Sequence, residues 1–195
     1  EEQQEILKTS IIGKSDVDIA RMIEKLHNHD WVKQGKEFYD NNYDEELKAY
    51  ICPFCQQQTS NNFRKQLEEY FDDTYQKNIN KLNTFIQNYK SKTKDITDKV
   101  KQILDISNQY LEQKRETLSV KKDVLEGLIN HNNQLLQKKQ TNPSEKIELK
   151  PIFSILSEIN KILEEVNQNI SNHNNLIDNK NKEKGKLDIE IWKYI

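Results

Sequence analysis

A run of apolar residues at alternating three- and four-residue steps constrains this chain more than any other feature. Ile152, Leu156, Ile159, Leu163, Val166, Ile170, Ile177, Leu187 and Ile191 fall on one such series, and only His173, Lys180 and Lys184 interrupt it. A stripe that repeats every 3.5 residues over about six heptads needs a second helix to cover it. Pro151 is placed as the first residue of that helix, and Gln140-Thr141-Asn142-Pro143-Ser144 before it reads as a turn. Upstream, Ile79, Leu82, Ile86, Tyr89, Ile96, Val100 and Ile103 keep the same rhythm, with Thr93 polar. Leu104, Leu111, Leu118 and Leu125 then recur every seven residues in a shifted frame, as a stutter near Val100 to Leu104 produces. The pattern predicts an all-α fold: a long antiparallel coiled-coil hairpin with an outgoing helix over 62–138, a loop over 139–150 and a returning helix over 151–195.

At 1.5 Å per residue the outgoing helix spans about 115 Å and the returning one about 65 Å. The return covers the outgoing helix only from about Ile96 onward, so 62–95 needs another partner. A front module over 1–61 suits that role for the aromatic portion. Ten of the sixteen aromatics fall within the first 75 residues, and such side chains carry large buried area. Ser15 with Asp18 resembles a capping box ahead of Ile19, Met22, Ile23 and Leu26, which share one helical face. Asp30 is placed to cap a second helix over 31–39, weakened at Gly35. Residues 41–44 read as a turn, and 45–50 as a short helical piece leading into Cys52.

Composition narrows the class. Hydrophobic residues make up 34% and charged residues 32%, with a mean hydropathy of -0.99. That mixture suits solvated helices better than a compact globule. The 30 basic and 32 acidic side chains leave a net charge of -2, which argues against direct nucleic-acid binding. No apolar run approaches the roughly 18 residues of a membrane span, and no signal peptide is visible. The chain opens Glu1-Glu2-Gln3 and its single methionine is Met22, so it reads as a piece of something longer.

Cys52-Pro53-Phe54-Cys55 is the one constellation with chemistry in it. The spacing suits metal binding, not a disulfide framework, and points to a reducing cytoplasm. Two thiolates three positions apart can grip one zinc, and tetrahedral zinc needs two more ligands. Three completions are open. A second chain supplies its own pair, His27 and His29 fill the shell, or the knuckle stays empty and serves as a turn. Thioredoxin-like redox chemistry lacks its βαβ setting. Ile12-Gly13-Lys14-Ser15 ends like a phosphate-binding loop, but Lys8 stands where the first glycine belongs. His173 reads as a register-setting polar residue, and Lys180 and Lys184 can lay their stems along the seam. No Ser/His/Asp or Cys/His catalytic arrangement can be named.

Asp30-Trp31-Val32-Lys33-Gln34-Gly35, Cys52-Pro53-Phe54-Cys55-Gln56-Gln57 and Phe63-Arg64-Lys65-Gln66-Leu67-Glu68-Glu69-Tyr70-Phe71 together resemble one family. It is that of the bacterial ATPases related to the RloC and PrrC anticodon nucleases. The closing Ile191-Trp192-Lys193-Tyr194-Ile195 is similar to the point where their coiled coil returns to the ATPase head. The resemblance implies an ABC-type head, split in sequence, with this segment inserted as an arm and Cys52 and Cys55 as zinc-hook-like ligands. Any ATPase or tRNA-cleaving activity then lies outside these residues. The knuckle precedes the long helix, whereas a hook of the DNA-repair type sits at the apex of its hairpin.

Two functions compete at this stage. One is a non-catalytic ATPase arm in which zinc at Cys52 and Cys55 links two arms or braces the front module, with a homodimer formed through the CxxC or the coiled coil. The other is a stand-alone coiled-coil adaptor with no metal role.

Overall fold

The computed structural model describes residue 2 and residues 4–193. It is 71% helical, with eight helices and one two-stranded sheet among the described residues. In chain order these are α1 (Glu5–Lys8), α2 (Ala20–Leu26), α3 (His29–Asp40), β1 (Tyr43–Asp44), β2 (Ala49–Tyr50), α4 (Asn61–Tyr70), α5 (Asp73–Leu104), α6 (Gln109–Glu112), α7 (Arg115–Thr141) and α8 (Phe153–Trp192). No described helix is long and apolar enough to cross a membrane. The chain forms two compact units. Unit 1 comprises Glu1–Lys92 with His131–Lys150, and unit 2 comprises Thr93–Asn130 with Pro151–Ile195.

Unit 1 is the aromatic module, and it holds more chain than its sequence suggests. Tyr70 and Tyr89 are buried beside Leu7, Ile23, Leu82 and Leu136. Gly13 owes its identity to this packing. A Cβ there would lie 2.3 Å from the Tyr70 ring, and the Lys14 N–H donates to the Tyr70 carbonyl at 2.9 Å. The residues that mimic a phosphate loop are therefore a seat for an aromatic ring.

Two expected caps do other work. Ser15 lies in a turn, and α2 starts behind Ile19 with no side-chain cap. Asp30 falls inside the first turn of α3, where its carboxylate accepts from the Ser144 N–H at 3.1 Å and the Ser144 hydroxyl at 2.5 Å. Met22 and Leu26 also depart from the shared face. Ile19 and Ile23 are buried, while Met22 and Leu26 are 54% and 59% exposed.

The stretch over 139–150 differs most from a solvated hairpin apex. Helix α7 runs to Thr141, and Ile147 and Leu149 beyond it join the unit 1 core. Ile147 N–H donates to the Leu7 carbonyl and Ile11 N–H to the Pro143 carbonyl, both at 3.0 Å. Lys139 is fully buried, and its ammonium donates to the carbonyls of Thr9 (2.6 Å), Pro143 (2.7 Å) and Glu145. Burial pushes its pKa down, against the opposing pull of Asp30 and Glu145. Asn132 imitates a strand partner, accepting from the Lys150 N–H and donating to its carbonyl, each at 2.8 Å. Its amide also donates to the Tyr89 hydroxyl at 2.7 Å. A loop that satisfies its backbone groups this way can be buried without the cost of orphaned donors and acceptors.

The single helix expected over 62–138 is four helices. Between α4 and α5 the chain bends at Phe71, and the Asp72 carboxylate accepts from the Tyr75 N–H at 2.9 Å, opening α5. The second break, at residues 105–114, reverses the chain within unit 2. Lys101 pairs with Glu126 at 3.0 Å, so the end of α5 and the start of α7 run antiparallel. Lys121 pairs with Glu158 at 2.5 Å and Lys114 with Glu165 at 2.7 Å, so α7 and α8 also run antiparallel. Three helical segments enclose Val100, Leu118, Leu125, Ile129, Ile155, Ile159 and Val166. The shifted leucine frame is thus a change of helix, not a stutter. Cover for α8 reaches Ile170; beyond it Leu176, Ile177, Leu187, Ile189, Ile191 and Trp192 are exposed. The helix short of cover is α8, and 73–92 packs inside unit 1. Tyr194 and Ile195 lie outside the described residues.

Candidate metal centre

The knuckle grows from the small sheet. Strand β1 pairs with β2 in register Tyr43↔Tyr50 and Asp44↔Ala49. The residues between them turn instead of forming the expected helical piece. Asp44 Oδ1 accepts from the N–H groups of Glu46 (2.9 Å) and Leu47 (2.8 Å), and Lys48 takes a left-handed φ of 50°. An aspartate that bonds its own downstream backbone offers the chain an alternative to helix.

A second, tighter turn follows directly. Ile51 bridges to Gln58, Cys52 N–H donates to the Gln57 carbonyl at 2.8 Å, and Gln56 N–H returns to the Cys52 carbonyl at 2.9 Å. Gln56 closes it with φ 57°. This backbone brings Cys52 and Cys55 to 3.6 Å, with Cys52 half-buried and Cys55 exposed. The Cys52 thiol is held below its usual pKa. The Cys55 N–H contributes most, aided by the Phe54 N–H and the Cys55 thiol, against burial that pushes it up. Backbone amides aimed at a sulfur favour the thiolate, which is the ligating form.

Two Zn–S bonds of about 2.3 Å at a tetrahedral angle span about 3.8 Å. The spacing of the pair suits one side of a zinc shell. Of the two histidines, one has a side-chain partner elsewhere. His29 Nδ1 meets the Tyr70 hydroxyl at 2.7 Å, and His27 ends α2 in a left-handed conformation. Among the described residues no three His, Cys, Asp or Glu side chains gather as a metal cluster. In unit 2, His173 lies 5.9 Å from the Tyr110 ring.

What spacing arguments missed is the surface around the cysteines. Trp31 stacks on Phe54 with ring centroids 5.0 Å apart. Helix α3 passes beside that ring, and Gly35 faces it with 3.5 Å available to an added Cβ. Behind the knuckle, Tyr39 donates to or accepts from Thr59 at 2.7 Å and Arg64 sits 4.4 Å from the Tyr50 ring centre. Between α2, α3 and the knuckle opens an apolar groove of about 230 Å³, reached by Met22, Leu26, Trp31, Pro53, Phe54 and Phe63. The Met22 and Leu26 positions carried the signal, since both were apolar on a helix too short to bury two faces.

No curated protein and no solved structure matches the chain. A family model described as AAA domain matches residues 1–195, the full length given, and the protein belongs to that AAA domain family.

Proposed function

We propose that this chain is a non-catalytic, cytoplasmic helical arm of an ABC- or SMC-like ATPase of the anticodon-nuclease type, with zinc held at Cys52 and Cys55. The nucleotide-binding head belongs to the same parent chain, and two arms meet through the metal. Membership of an ATPase family supports the parent class. The observation that carries the metal reading is the knuckle itself: a turn that closes on Gln56, sets the two cysteines 3.6 Å apart and points backbone amides at Cys52. Zinc there would supply a cross-link and no chemistry on a substrate. The Gly13-Lys14-Ser15 stretch is consistent with an arm, since Tyr70 fills the space a phosphate would need and Lys14 pairs with Asp16 at 3.2 Å.

Zinc content and sedimentation of the wild type and of Cys52→Ser test this reading. It expects zinc in the wild type, lost with Cys52→Ser together with the dimer. Equal zinc content and equal oligomeric state in both proteins sink it. The exposed apolar stripe of α8 beyond Ile170 favours a second reading, a coiled-coil adaptor without metal. That reading expects association that survives Cys52→Ser and fails on Leu187→Lys.

A further inference from the structure

We infer that the apolar collar around the knuckle is a self-association surface, covered by a second copy of this chain seated on the same zinc. The inference rests on the metal reading above and adds the protein surface that goes with it. Cys52 and Cys55 supply two of the four ligands tetrahedral zinc takes, and no third donor gathers with them among the described residues. A second copy carries the same pair in the same half-built geometry, and a two-fold arrangement pairs one patch with itself. Whatever flanks the cysteines is then brought face to face.

What flanks them is apolar on the side of α2 and α3 and mixed on the side of the β1–β2 turn. Toward α2 and α3 lie Met22, Leu26, Trp31 and Phe54, the last two 55% and 61% exposed. Toward the β1–β2 turn a second depression of about 630 Å³ mixes Phe38, Leu47 and Pro53 with Asn42, Asp44 and Gln56, and Phe38 is 68% exposed. Pro53 lines both, so the apolar groove meets the mixed depression at the knuckle. Aromatic and methionine side chains around a metal-binding pair have the composition of an interface core. Of the charged side chains nearby, Lys36 pairs with Asp40 and Lys33 with Glu37 along α3.

The test uses the zinc-loaded chain, with zinc per chain measured beside sedimentation over a concentration series. The collar predicts one zinc per two chains in the wild type. It predicts a dissociation constant raised about tenfold or more in Met22→Lys/Leu26→Lys, because two lysines on each copy would face apolar surface. Leu187→Lys, on the exposed stripe of α8, should leave that constant unchanged. An unchanged constant in the double variant, with zinc still shared, overturns the collar and spares the metal reading. One zinc per single chain, or none, overturns both. Weakening by Leu187→Lys alone assigns association to α8 and also overturns the collar. Should circular dichroism show that the lysine pair disturbs the fold, Met22→Gln/Leu26→Gln decides by the same measurements.

Discussion

The two units solve burial in opposite ways. Unit 2 repeats one solution, a leucine or isoleucine every three or four residues from three helical segments, rimmed by surface pairs such as Lys114 with Glu165. Unit 1 gathers residues far apart in sequence, Leu7, Tyr70 and Ile147 among them, and fastens them with buried polar groups. Regular packing tolerates polar members because a neighbouring turn repeats each contact. A centre made of single contacts does not, so side chains of the same type should matter differently in the two places.

The largest effect tests the centres directly. Tyr70→Ala removes a ring 1% exposed at the middle of unit 1 and should cost about 3–5 kcal/mol by urea denaturation. Leu125→Ala, fully buried in unit 2, should cost about 2–5 kcal/mol. A loss under about 1 kcal/mol for Tyr70→Ala would show that unit 1 is not built on that ring.

A pair of lysines sharpens the contrast. Lys139→Met takes the donor from the carbonyls of Thr9, Pro143 and Glu145, and leaving them unpaired should cost about 1–3 kcal/mol. Lys114→Met breaks an exposed pair with Glu165 and should cost less than about 1 kcal/mol. Equal losses would mean that Lys139 is not the pin its surroundings suggest.

Alkaline titration separates the units without a mutation. Burial pushes the Tyr70 hydroxyl from its ordinary 10.0 up to about 12, and burial raises Tyr75 as well. Raised folded-state values mean that this stability is complete below pH 10 and is lost as pH climbs from 10 through 12. Lys139 works the other way, since its lowered value makes folding more favourable as pH rises toward the ordinary 10.5. Unit 1 should therefore hold to about pH 10 and give way above it. Emission from Trp31 follows this best in a Trp192→Phe background. A Trp31 signal flat to pH 12 would contradict it.

How much of this could be read beforehand depended on periodicity. The α8 stripe from Ile152 to Ile170 was legible because each apolar residue stands where 3.5-residue repetition puts it. The break at 105–114 was not, because Leu104, Leu111, Leu118 and Leu125 keep a seven-residue spacing straight across it. Heptad arithmetic cannot distinguish a helix that continues from two that meet in register. The loop expected over 139–150 is hidden from periodicity for another reason: its burial rests on Lys139, Asn132 and Asp30, polar residues whose partners lie 4 to 130 positions away. The cysteines were legible as a pair. Their surroundings were not, because the left-handed φ at Gln56 and the exposed flank of α2 leave no spacing signature.

The smallest effect falls on the break that the heptads hid. Asn108 Oδ1 accepts from the N–H groups of Tyr110 (2.9 Å) and Leu111 (3.3 Å), capping α6 at the reversal in unit 2. Ser60 does the same work in unit 1, accepting from the Phe63 N–H at 3.2 Å to start α4. Each cap replaced by alanine should cost about 0.5–2 kcal/mol, with Asn108→Ala the larger because two donors lose their acceptor. The difference has a structural consequence as well as a size. Without Asn108 the seven-residue spacing would still permit α5 to run on into α7, and the cap is what makes stopping at Leu104 the cheaper choice. Asn108→Ala should thus lower protection of the Tyr110 and Leu111 amides against hydrogen exchange. Unchanged protection there would place the reversal under the control of the surrounding core, with Leu111 and Leu118 holding the turn closed from within.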